Sequence, residues 1–63
     1  MTNKKVFTVS VGVIKAANAA MINSNKLKHT FVNIGNKFVV DKSDMKVIRE
    51  ILDKKFIRIY KVS

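Results

Sequence analysis

The chain has 63 residues and no cysteine, and its 13 Lys and Arg against four Asp and Glu give a formal charge of +9 at pH 7. That length allows one domain, residues 1–63, and at this size folding buries only about 60% of the unfolded surface. With disulfides and thiolate metal cages excluded, homodimerisation is the expected staple, and the lack of cysteine fits a reducing cytoplasm.

The N-terminal stretch has the layout of a secretory leader: Lys4 and Lys5, then VFTVSVGVI, then Ala17-Asn18-Ala19. Thr8, Ser10 and Gly12 interrupt its apolar part and Lys15 precedes the would-be cleavage site, so it reads as mature sequence. From Lys5 to Val13 the residues alternate, with Phe7, Val9, Val11 and Val13 on one side and Val6, Thr8, Ser10 and Gly12 on the other. This period of two predicts a half-buried strand. Residues 14–24, IKAANAAMINS, turn alanine-rich and predict a helix, which Asn23, Ser24 and Asn25 end by competing for backbone hydrogen bonds. A strand is expected over 26–34, KLKHTFVNI, followed by a Gly35-Asn36 turn of type II′ and a strand KFVVD. Ser43 or Asp41 is placed to accept the free amides of a second helix start, with Asp44 complementing its dipole. That helix puts Met45, Ile48, Ile51 and Leu52 on one face, with the stem of Lys55, and sets Glu50 and Lys54 as an i, i+4 pair on the other. FIRIYKV, residues 56–62, alternates again as a last strand.

The order β-α-β-β-α-β gives an α+β fold: a small antiparallel sheet of ferredoxin-like type with two helices on one face, completed by homodimerisation. The alternative is an irregular 14–25 segment and a β-rich dimer sharing one sheet. No apolar run approaches the roughly 20 residues of a membrane span, so no membrane partner is expected.

All four acids, Asp41, Asp44, Glu50 and Asp53, follow residue 40, whereas the first forty residues carry six lysines and no acid. Such a field steers a protein to polyanions, because each lysine set against a phosphate releases condensed counterion. With one histidine, four acids and two isolated glycines, a metal cluster, a Ser-His-Asp arrangement or a phosphate-cradling loop has too few parts, so the chain reads as a non-enzyme without cofactor. His29 beside Lys28 is the one pair that acid-base RNA cleavage would use, and a lone strand histidine is more often a packed or surface residue.

The sheet face opposite the helices is the more informative place. Burying Ile57 and Ile59 turns Phe56, Arg58 and Tyr60 outward, beside Thr8 and Ser10 of the first strand. In the second predicted strand, burying Val32 and Ile34 exposes His29 and Phe31, whereas burying Phe31 exposes Lys28 and Thr30. Phe31 and Phe38 are expected in the core. Lys26, Lys28, Lys37, Arg58 and Lys61 are the candidate phosphate contacts and Tyr60 the candidate stacking residue. Cations interleaved with an aromatic are how single-stranded nucleic acid is held, which makes RNA or another nucleic acid the expected partner, bound by its backbone without sequence reading. The alternative partner is a host enzyme whose acidic or RNA-binding site the basic surface covers.

In its length, its lysine-rich and cysteine-free character and its lack of a catalytic motif, the chain resembles the small host-takeover and anti-defence proteins of T4-type bacteriophages, which include inhibitors of endoribonuclease toxins. That resemblance implies a dimeric RNA-binding protein in the host cytoplasm that neutralises a toxin ribonuclease in an RNA-dependent complex. It carries over no site residue.

Overall fold

A computed structural model describes residues 3–63. Four strands and two helices follow in the expected order: β1 (Lys4–Val9), α1 (Ile14–Ser24), β2 (Val32–Ile34), β3 (Lys37–Asp41), α2 (Met45–Lys54) and β4 (Ile59–Val62), with short 3-10 turns before each helix. The sheet order is β2-β3-β1-β4 and every neighbouring pair is antiparallel. Each helix therefore joins two parallel strands with one strand of the other half between them, which is the ferredoxin-like arrangement.

Inward residues of the two central strands make the floor of the core. Phe7 stands opposite Phe38, and their rings stack with centroids 5.0 Å apart. Phe31 packs on the same ring at 6.0 Å. Val9, Val40 and Ile57 join this floor, and Ala17 and Met21 of α1 with Met45, Ile48, Ile51 and Leu52 of α2 close it from above. Each fully buried phenylalanine contributes about 1.5–3 kcal/mol by leaving water.

The helices start and stop where local chemistry requires. The segment 14–25 is not irregular: α1 spans Ile14–Ser24, and Asn25 ends it at φ 56, in the left-handed region that asparagine tolerates. Before α2, Asp41 accepts a hydrogen bond from the Ser43 amide at 2.9 Å and another from the Ser43 hydroxyl at 2.6 Å. Asp44 stands at the N-cap of α2, where its charge complements the dipole, but its carboxylate makes no capping bond to the helix. It is 3% exposed and accepts the amides of Lys28 at 3.2 Å and His29 at 3.1 Å. Gly35 has φ 60 and Asn36 a negative φ, as a type II′ turn demands.

Three strands are shorter than the alternation suggests. β1 stops at Val9 rather than Val13, because its partner β3 begins only at Lys37 and the turn residue Asn36 takes both polar groups of Val9: the Val9 amide donates to the Asn36 carbonyl at 3.0 Å, and Asn36 Nδ2 donates to the Val9 carbonyl at 3.1 Å. Residues 26–31 are not strand, since Asp44 holds their amides in a loop that sets Leu27 and Phe31 against the core. β4 begins at Ile59 rather than Phe56 because residues 55–57 close the end of α2. Glu50 and Lys54 are both exposed, and their side chains form no ion pair; the only carboxylate contacts to basic groups among the described residues are those of His29. No helix among them is long and apolar enough to cross a membrane.

Candidate nucleic-acid interface

The strand register fixes which side chains share the face away from the helices. Val32, Val39 and Val6 form one row across β2, β3 and β1. Ile34, Lys37, Thr8 and Lys61 form the next row across all four strands, and Lys4 stands opposite Asp41 beyond the valines. Nothing among the described residues covers this face, which leaves Val32 56% and Ile34 62% exposed.

A register shift in the β1–β4 pairing sharpens its edge. Val9 pairs with Ile59 but Thr8 with Lys61, so Tyr60 is the extra residue of a bulge. Ile59 and Val62 pack inward, so Tyr60 and Lys61 are both left on the solvent side, Tyr60 62% exposed. Arg58 Cζ lies 6.0 Å from the Tyr60 ring centroid, at the outer limit of a cation–π contact. Lys37 and Lys61 flank Thr8 from adjacent strands, which separates them by two strand spacings, about 10 Å.

Of the six candidates from the sequence, Lys37, Tyr60 and Lys61 meet on this face and Arg58 stands at its β4 margin. Lys26 and Lys28 do not join them. Lys26 lines a cleft between the helices with Ala16, Ala20, Val47 and Ile51, and Lys28 lies on the loop that Asp44 ties to the start of α2. Of the two arrangements considered for 26–34, the one that buries Phe31 and exposes Lys28 and Thr30 occurs, though only 32–34 are strand, and His29, Val32 and Ile34 are exposed as well. Sequence reasoning put Val6 on the side of Thr8 but passed over Lys4, which shares that phase, and Val39, which pairs with Val6.

Asp41 stands on this face opposite Lys4 without forming an ion pair with it. Among the described residues no Lys or Arg nitrogen lies within ion-pair distance of a carboxylate; both such contacts belong to His29, with Nδ1 at 3.3 Å from Asp44 Oδ2 and Nε2 at 3.8 Å from Asp41 Oδ2. The Ser43 hydroxyl and amide hold the Asp41 carboxyl below its ordinary 3.8, with smaller help from the charges of His29 and Lys4. His29 thus stands between Asp41, at the end of the open-face rows, and Asp44, where its contacts hold its loop to the start of α2. No three His, Asp or Glu side chains among the described residues gather as a metal would need.

Compared with protein-family models, curated proteins and solved structures, the chain matches none of them.

Proposed function

We propose that this protein is a non-catalytic nucleic-acid-binding module that holds single-stranded RNA on its open sheet face. The observation that carries this reading is the set of cations without carboxylate partners, Lys4, Lys37, Arg58 and Lys61, around an exposed Tyr60. Phosphates lie against the lysines and Arg58, one base stacks on Tyr60, and Val32 and Ile34 offer apolar contact to neighbouring bases or sugars. A flat face favours single strands, whose bases are free to lie on it, over a duplex that hides them. The described residues include no metal cluster of a zinc module, and on this reading affinity comes from backbone and stacking.

Four phosphate contacts on a single strand predict a log-log slope of affinity against salt of about −3. Anisotropy titration with labelled single-stranded RNA at two salt concentrations, beside duplex RNA and duplex DNA, tests this. A slope near zero, or tighter duplex binding, refutes it.

In the cell, such a module joins RNA and a host toxin ribonuclease in one complex, which nuclease treatment dissolves. Exposed Val32 and Ile34 favour a second reading, in which the same face covers an acidic or RNA-binding site on a host enzyme directly. That association survives nuclease. Homodimerisation through the free backbone edge of β2 or β4 is compatible with both, and light scattering reports it.

A further inference from the structure

α2 ends in a two-bond closure that usually uses glycine. The Phe56 amide donates to the Asp53 carbonyl at 3.0 Å and the Ile57 amide to the Leu52 carbonyl at 2.9 Å, which is the Schellman pattern, with Leu52 and Ile57 both buried as its apolar contact. In this pattern the residue after the cap takes the left-handed conformation, and here it is Phe56, at φ 59. A bulky residue is disfavoured there by contact between its Cβ and the backbone. The ring returns nothing to the fold, because Phe56 is 96% exposed. Backbone strain at a residue that packs on nothing points to use outside the fold.

What surrounds the ring indicates that use. Phe56 lines a shallow cleft of about 570 Å³ between α2 and β4, together with Arg49, Glu50, Asp53, Ile57, Arg58 and Ile59. This is ample for a nucleobase. Arg58 also approaches the Tyr60 ring, so one guanidinium stands between the two exposed aromatics of the chain's last segment. Glu50 and Asp53 repel phosphate from the α2 wall, which leaves Arg58 on the β4 side to receive it and the cleft to the neutral base.

We infer that Phe56 is a second base-stacking position: a strand lying on the open sheet face turns over the β4 edge at Arg58 and places an unpaired base against the Phe56 ring. This rests on the nucleic-acid reading above and extends its site beyond the sheet. An acidic protein segment seated on Phe56 and the two arginines is the competing occupant. It is disfavoured because a peptide carboxylate would have to enter beside Glu50 and Asp53, whereas a nucleotide presents its neutral base to the cleft and keeps its phosphate at Arg58.

The test compares wild type, Phe56→Gly, Phe56→Tyr and the Lys37→Ala/Lys61→Ala double variant by anisotropy with single-stranded RNA, and by thermal melting. Phe56→Gly is expected to bind about tenfold more weakly, within the range of one lost stacking contact. Its salt slope stays unchanged and its melting point rises, because no cation is lost and the left-handed strain is relieved. Phe56→Tyr restores binding. If Phe56→Gly binds as tightly as wild type while the double lysine variant binds weakly, the sheet-face reading stands and the Phe56 inference is overturned. If wild type binds no RNA at low salt, both fall.

Discussion

Asp44→Ala is the substitution whose cost the structure specifies best. Asp44 is 3% exposed and accepts two backbone amides from a segment sixteen residues earlier, Lys28 at 3.2 Å and His29 at 3.1 Å, with His29 Nδ1 a further 3.3 Å contact. Hydrogen bonds to a charged acceptor contribute roughly 1.5–3 kcal/mol each. The freed amides belong to exposed residues, so water replaces part of what is lost and the lower end applies, about 2–3 kcal/mol for the pair. A domain of this length has a total stability of roughly 3–9 kcal/mol. Asp44→Ala therefore removes a large share of it, and Asp44→Asn, which keeps one neutral acceptor, removes less. Urea unfolding measures the loss, and amide exchange at Lys28 and His29 shows whether it arises in the loop. A cost below about 0.5 kcal/mol, the range of ordinary surface substitutions, with unchanged exchange at those two amides, would mean that Asp44 does not hold the segment.

Phe56→Gly should stabilise the protein by about 1 kcal/mol, the left-handed penalty of a side chain that packs on nothing, and raise the melting point by about 4–8 °C; a lower midpoint in calorimetry contradicts this. Lys37→Ala with Lys61→Ala should lessen the salt slope for single-stranded RNA by about 1.4, and an unchanged slope removes both from the interface. Asp41 has a folded pKa below its ordinary 3.8, so the stability it contributes is complete above that value and is lost as pH falls through 3.8 and then through the lower folded value. An NMR titration should show Asp41 protonating below 3.8 in wild type and closer to it in Ser43→Ala; no change on removing the hydroxyl contradicts the assigned cause. Ile34→Lys, at a position 62% exposed, should alter stability by less than about 0.5 kcal/mol, whereas Phe38→Ala, fully buried between two other rings, should cost about 3–5 kcal/mol and leave little folded protein by circular dichroism.

Much of the architecture could be read from the residues in order because it depends on local patterns. The α1 limits, the buried stripe Met45, Ile48, Ile51 and Leu52, the type II′ turn at Gly35-Asn36 and the element order all follow from periodicity and turn chemistry within a few residues of one another. Strand ends do not, because a strand persists only while a neighbour supplies hydrogen bonds. Val11 and Val13 continue the alternation of β1, yet they leave the sheet once Asn36 has closed Val9. Residues 26–31 have strand composition, yet a carboxylate sixteen positions away captures their amides.

The charge, too, was plain from composition, but its placement was not. Lys37 and Lys61 lie far apart in sequence and meet only because β1 separates their strands in the order β2-β3-β1-β4, while Lys26, close to Lys37 in sequence, goes to the helix layer. Phe56 shows the same division. Alternation exposed it as part of a strand on the open sheet face, but the closure of α2 takes it off the strand and sets it in a left-handed backbone beside α2, because that conformation is imposed by hydrogen bonds to Leu52 and Asp53 and not by anything in the phenylalanine itself.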